Sequence, residues 1–202
     1  ERETSFSSII SHVKSVIDNT TGNVAIFAPS YAMLDRVYDE IENRWPQKKI
    51  IKEEQRMSKA GVERLISILY EQRQMGGVAL FGVLSGKLSE GVDYTDNILS
   101  ALVCIGLPLP PPSAKQDALI EYYSKKYDRN RAWKYASLQP AVNSILQALG
   151  RPIRKKEDRA IVVLLEKRLL ERRVGDCMPA MQKMRTSKPE RTAERVKAFF
   201  DI

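Results

Sequence analysis

A glutamine and two arginines near residue 150 carry the clearest chemical signal. Gln147-Ala148-Leu149-Gly150-Arg151-Pro152-Ile153-Arg154 reads Q-x-x-G-R-x-x-R. If the segment is helical, Gln147, Arg151 and Arg154 stand at i, i+4 and i+7 and project from one face. A guanidinium is always charged and presents a planar fork of donors, so it grips phosphate oxygens two at a time. One amide and two such forks suit a polyphosphate whose charge grows during phosphoryl transfer. On the motif alone, an ordinary basic helix face accounts for these residues equally well. Pro152 removes a backbone donor and restricts Arg151 before it, so a helix here either ends at Leu149-Gly150 or bends there.

A second stretch with ligand-binding chemistry is Leu84-Ser85-Gly86-Lys87-Leu88-Ser89-Glu90-Gly91-Val92-Asp93-Tyr94. Its two glycines let a backbone approach a ligand closely. Ser85, Lys87 and Ser89 offer donors, while Glu90 and Asp93 offer carboxylates to a ribose hydroxyl, a water or a metal-bound water. Taken by itself this is a polar loop and no more.

The elements that must position these groups follow from hydrophobic spacing. Phe6, Ile9, Ile10, Val13, Val16 and Ile17 recur at helical intervals, and Thr21-Gly22 closes that helix. Asn23–Ala28 has a strand's length. Ser30 then caps a helix predicted over Tyr31 to Arg44, which Trp45-Pro46 ends. Lys49 to Lys52 reads as a short strand, Gly61 to Gln74 as a helix, and Val78 to Leu84 and Ile98 to Ile105 as buried strands. Pro140 opens the helix expected to carry the arginines. Ala160 to Leu165 reads as one more interior strand, and Ser187-Lys188-Pro189-Glu190 as a capping box before a last helix. Short apolar strands alternating with amphipathic helices predict one α/β domain, a parallel sheet of about five strands with helices on both faces. Ligands of such sheets gather at the carboxyl ends of the strands, here the loops after Ala28, Leu84, Ile105 and Leu165.

Composition narrows the function classes. The 202 residues suffice for one well-buried domain. No apolar run reaches membrane-spanning length, and no basic-then-apolar leader stands at the N-terminus, so a membrane partner is not expected and a cytoplasmic or nuclear setting is. A net charge of +8 favours polyanions. Two cysteines, Cys104 and Cys177, supply neither a four-cysteine cluster nor a zinc site. The single histidine, His12, reads as a helix surface or packing residue, and no metal-ligand constellation is present.

The order of motifs is specific. S-G-K-x-S-E-G-V-D-Y, a strand ending in Gly106-Leu107-Pro108-Leu109-Pro110-Pro111-Pro112, and Q-A-x-G-R-x-I-R resemble the XPD/DinG family of superfamily 2 helicases. Upstream, Ile26-Phe27-Ala28-Pro29-Ser30-Tyr31 is similar to that family's motif IV. The likeness covers about residues 23 to 166, lies with the second, C-terminal RecA-like motor domain (a P-loop NTPase-type fold), and is nearer to XPD than to DinG. The phosphate-loop motif, the carboxylate box and the cluster-binding cysteines of the family are absent from the sequence and belong to its first motor domain.

The resemblance implies an ATP-dependent 5′-to-3′ DNA helicase acting in repair, of which residues 1–202 form the second motor domain, with a helical basic and aromatic insert at about 113–139. It implies ATP and magnesium shared with the first motor domain of the same polypeptide, and a 4Fe-4S cluster in that missing half alone. Arg151 and Arg154 would reach the phosphates, Gln147 would orient the attacking water or a phosphate oxygen, and Glu90, Gly91 and Asp93 would line the ATP cleft. Ser30, Tyr31, Ser85 and Lys87 would meet single-stranded DNA. Between Tyr122 and Tyr135, aromatics interleave with Lys125, Lys126, Arg129 and Arg131, as stacking plus phosphate contact requires. A solvated insert whose aromatics pack beneath it fits the same pattern. Repair or transcription proteins are implied as further partners. Alone, the chain should hydrolyse little ATP. The competing class is a non-catalytic module that keeps the fold and binds only nucleic acid or protein. A self-sufficient nucleotide enzyme fails for want of a phosphate loop.

Overall fold

The apolar runs become five strands: β1 (Asn23–Ala28), β2 (Lys49–Lys52), β3 (Val78–Val83), β4 (Leu99–Ile105) and β5 (Ile161–Leu165). They lie in the order β2-β3-β1-β4-β5, with every neighbouring pair parallel. All carboxyl ends therefore open at one edge of the sheet, with β1 in the middle. The computed structural model describes residues 2–44, 46–180 and 183–201.

Nine α-helices among the described residues connect and cover the strands: α1 (Arg2–Asn19), α2 (Tyr31–Glu42), α3 (Lys59–Gln72), α4 (Lys87–Glu90), α5 (Ala114–Ser124), α6 (Arg129–Trp133), α7 (Gln139–Leu149), α8 (Arg172–Gly175) and α9 (Pro189–Phe200). Alternate strand residues feed two separate cores. Val24, Ile26 and Ala28 pack with Ile10 and Val13 of α1, Leu34 and Val37 of α2, and Val196 of α9. Ala25 and Phe27 face the other way, onto Leu69 of α3, Val142 and Ile145 of α7, and Val174 of α8. Because both faces are covered, β1 is buried along its whole length, which is why NVAIFA lacks the alternation of a one-faced strand. The fold is the RecA-like parallel α/β sheet.

Three expectations need correcting. Strand β5 is not interior: among the described residues it pairs only with β4, and all five of its residues are half-buried. Its unbroken apolar run reflects helices over both faces, not a strand on both edges. Helix α9 lacks the capping box. Lys188 precedes its first residue with no side-chain cap, and the Lys188 N–H is taken instead by the Thr186 hydroxyl at 3.1 Å. Pro189 at the first helical position has no N–H to be capped.

Third, the arginines are not on a helix. Helix α7 stops at Leu149, with the Gly150 and Arg151 N–H groups closing its last turn onto the Leu146 and Ala148 carbonyls at 3.1 and 3.0 Å. Pro152 cannot extend that ladder, so Arg151 and Arg154 lie in the loop beyond it. Helix α2 ends at Glu42, and Trp45 lies outside the described residues. His12 is a packing residue: it is buried in α1, and its Nδ1 meets the buried Thr192 hydroxyl of α9 at 2.8 Å.

Candidate functional site

The loop after β3 is fixed from several sides. Its first N–H, from Leu84, donates to the Ala28 carbonyl at 2.8 Å, so the ends of β3 and β1 stay together. Ser85 then adopts φ of 65°, a left-handed conformation that costs a non-glycine residue about 1–2 kcal/mol. Its hydroxyl lies 2.6 Å from that of Ser144 on α7. The turn runs directly into α4, where the Ser89 hydroxyl accepts from Gly86 N–H at 3.0 Å. Below the helix, the phenol of buried Tyr94 donates to the Leu88 carbonyl at 2.9 Å. Burial, reinforced by the Glu53 charge, pushes that phenol well above the usual tyrosine range.

Ser30, Tyr31, Ser85 and Lys87 line one open cleft at the carboxyl ends of β1 and β3, together with Gln55. Ser30 also caps α2, accepting from Met33 N–H at 3.3 Å. Such a cap is worth about 1 kcal/mol and leaves the α2 N-terminus at the cleft wall. The Lys87 ammonium donates to the Met57 carbonyl.

On its far side the same loop meets the segment after α7. Arg151 Nε donates to the Ser89 carbonyl at 2.8 Å, Nη1 to the Val92 carbonyl at 2.9 Å, and Nη2 to the Glu90 carbonyl. All three guanidinium nitrogens are thus engaged by the backbone that presents Glu90, Gly91 and Asp93. Arg154 is held more lightly, its Nη2 2.9 Å from Asp93 Oδ1, with the two side chains 41% and 69% exposed. The Arg154 and Lys155 N–H groups both donate to Asp158 at 2.8 Å, which holds that carboxyl below the usual range. Gln147 is exposed on the last turn of α7.

Lys125, Lys126, Arg129 and Arg131 sit apart, the lysines in the turn between α5 and α6 and the arginines on α6. All four are exposed. Arg131 pairs with Asp128 at 3.2 Å, and the Lys126 ammonium lies 5.7 Å from the Tyr127 ring centre. Tyr123, Tyr127 and Tyr135 form a ring cluster with centres 4.9–5.9 Å apart, open to solvent at Tyr135. Trp133 instead packs against the core beneath α5. Between Tyr122 and Tyr135, then, some aromatics lie outward near cations, while Trp133 is packed on the core.

Glu53 escaped the sequence reading. It follows β2, is 1% exposed, and its carboxylate accepts from Val83 and Lys87 N–H at 3.1 Å each and from the Tyr31 hydroxyl at 3.4 Å. An acidic residue at the carboxyl end of a parallel strand was the available signal. Cys104 is a buried thiol whose pKa burial pushes up to about 12, as a packing residue would have. Among the described residues there is no group of three or more side chains able to hold a metal ion, nor a helix long and apolar enough to cross a membrane.

The chain is similar to known proteins in both sequence and fold. The chain is 33% identical over 149 residues to the ATP-dependent DNA helicase XPD of Sulfolobus acidocaldarius, covering 72% of this chain and 25% of that protein. It is 29% identical over 174 residues to a Fanconi anemia group J protein homolog of Gallus gallus, covering 76% of this chain and 13% of the relative. The chain thus spans a quarter or less of these relatives. A solved XPD helicase superposes with a TM-score of 0.68 at 28% identity, over 85% of this chain and 30% of that one. The C-terminal part of the Fun30 ATPase domain shares the fold alone, with a TM-score of 0.51 at 12% identity over 98% of this chain and 54% of that one. Residues 13–184, from within α1 to beyond α8, match the helicase C-terminal domain, and it is to that family, with XPD among its relatives, that the chain belongs.

Proposed function

We propose that the chain is the second motor domain of an ATP-dependent 5′-to-3′ DNA helicase of the XPD type, serving DNA repair. The observation that carries this reading is the double role of the loop after β3. One side borders the open cleft with Ser30 and Tyr31, and the other is grasped by Arg151 beside Arg154. A lobe built so can border nucleic acid and nucleotide with one short segment.

The nucleotide and its magnesium are gripped chiefly by the first motor domain of the same polypeptide, and this lobe closes over the phosphates. ATP supplies the phosphoryl group that is transferred to water. Arg154, exposed and held by one carboxylate, is the fork that swings from Asp93 to the β- and γ-phosphates, where fixed positive charge stabilises the transition state. Arg151 keeps Glu90, Gly91 and Asp93 facing the cleft, which adds a supporting duty to the catalytic role implied for it by the resemblance. Gln147, on the exposed turn before them, orients the attacking water. Single-stranded DNA crosses Ser30, Tyr31, Ser85 and Lys87, with Lys125, Lys126, Arg129 and Arg131 meeting phosphates on the insert. The two cysteines here do not fit a 4Fe-4S cluster, which this reading assigns to the rest of the polypeptide.

A complementation assay tests the proposal. The isolated chain should show negligible ATP turnover, and adding the separately expressed first motor domain should restore turnover that single-stranded DNA stimulates. A folded chain that binds DNA but never supports turnover, in the mixture or within the full-length protein, would leave only the non-catalytic module.

A further inference from the structure

Glu53 is a buried carboxylate without a cationic partner among the described residues, at the meeting point of three segments. Its own N–H donates to the Phe81 carbonyl at 2.8 Å, carrying the β2–β3 pairing one residue past the strand and fixing the side chain's starting point. One carboxylate oxygen, Oε2, accepts from Val83 N–H at the end of β3. The other, Oε1, accepts from Lys87 N–H at the start of α4 and from the Tyr31 hydroxyl at the start of α2. Burying a charge this deeply is costly unless hydrogen bonds satisfy it, and those bonds come from the functional loops rather than from a neighbouring side-chain cation.

The surroundings are shaped to admit it. A Cβ at Gly82 would lie 2.8 Å from Oε2, and one at Gly86 would lie 3.0 Å from Oε1 and 2.7 Å from a Val83 methyl. Both glycines therefore leave room for this carboxylate. Burial raises its affinity for a proton, while the backbone donors of Val83 and Lys87 and the Tyr31 hydroxyl oppose that rise. Tyr31 is one of the residues lining the cleft, and Lys87 opens the short helix that ends at Glu90.

We propose that Glu53 is a positioning residue that ties Tyr31, on the nucleic-acid side, to the loop that presents Glu90 and Asp93 on the nucleotide side. Displacement of Tyr31 by a bound strand is then passed through one carboxylate to the backbone of Lys87, and from α4 to the carbonyls that Arg151 holds. This inference rests on the helicase reading above and adds to it the element by which DNA occupancy reaches ATP turnover.

The test uses the full-length helicase containing this chain, with oligo(dT) as the probe, and compares turnover at saturating DNA with turnover in its absence. Glu53→Gln keeps the volume but turns one acceptor oxygen into a donor, which then opposes either the Val83 or the Lys87 N–H. The stimulation ratio should fall on the order of tenfold, since misplaced loops near a reacting group cost about that or more. Turnover without DNA and the KM for ATP should change far less. Tyr31→Phe keeps the ring and deletes only the hydroxyl. It should lower kcat at saturating oligo(dT), where a change in DNA affinity no longer enters, and the double variant should match the poorer single one. An unchanged ratio in Glu53→Gln, or an equal loss with and without DNA, overturns the inference. If Glu53→Gln does not fold, unchanged kcat in Tyr31→Phe overturns it alone. A wild-type enzyme whose turnover ignores DNA would instead sink the helicase reading itself.

Discussion

Arg151 Nε donates to the Ser89 carbonyl at 2.8 Å, joining the segment after α7 to the loop after β3 across 62 residues of sequence. With the Glu90 and Val92 carbonyls also bound, one guanidinium fixes the shape of a whole turn. Lysine carries the same charge but offers a compact point of donors that cannot span three carbonyls. Arg151→Lys should therefore destabilise the chain by about 2 kcal/mol, the scale of lost hydrogen bonds to a charged group. It should also lower turnover of the full-length enzyme about a hundredfold as the Glu90–Asp93 loop loosens. Thermal melting and steady-state ATP hydrolysis check the two parts, and a melting temperature equal to wild type would refute the clamp. Arg151→Ala should nearly abolish turnover while leaving DNA binding mostly intact.

Arg154 should behave differently because its one ion pair, with Asp93, is exposed. Such pairs contribute about 0–1 kcal/mol, so Arg154→Ala should melt like wild type. Turnover should nevertheless fall on the order of a thousandfold if this is the fork that stabilises charge on the phosphates. The combination of intact stability and lost turnover separates a catalytic duty from a structural one. Hydrolysis near the wild-type rate would remove Arg154 from the catalytic set.

His12 gives a pH dependence unrelated to the site. Burial holds its pKa below the ordinary 6.5, against opposing pulls from the Ser187 backbone and the Glu190 charge. The unfolded chain thus binds the proton more readily, so stability is complete above about 6.5 and is lost as pH falls toward the lowered folded value. Melting temperatures of the wild type and His12→Gln should converge on acidification through that window. A gap that stays constant with pH would show that the His12–Thr192 contact between α1 and α9 is not titrating.

Sequence alone disclosed the strands well, because a parallel sheet covered on both faces needs continuous apolar runs that few other elements produce. It could not rank them. Val162 and Leu164 are as apolar as Val24 and Ile26, yet β5 is an edge strand and β1 is central. Side-chain types could nominate candidates, and of these the structure sets Ser85 and Lys87 in the cleft lining and Arg154 beside Asp93. The site was opaque where the partners are backbone atoms: nothing in the letters Ser89, Glu90 and Val92 announces carbonyls aimed at a guanidinium. Glu53 was hidden for a related reason. It sits in Lys52-Glu53-Glu54-Gln55-Arg56, a charged run that reads as solvated surface, and only the pairing of β2 with β3 buries it and leaves Glu54 outside.

The insert offers the plainest electrostatic prediction. Lys125, Lys126, Arg129 and Arg131 are exposed beside a partly open tyrosine cluster, an arrangement suited to phosphate contact next to base stacking. Each cation that meets a phosphate of single-stranded DNA should contribute about 0.7 to the slope of log affinity against log salt. Replacing all four by glutamate should weaken oligo(dT) binding most at low salt and flatten that slope in proportion to the phosphates no longer neutralised. The melting temperature should hold, because Trp133 and the buried Ala132, not these cations, fasten the insert to the core. An unchanged affinity and slope would make the cations solvated surface and confine the DNA path to the cleft beside Tyr31 and Lys87.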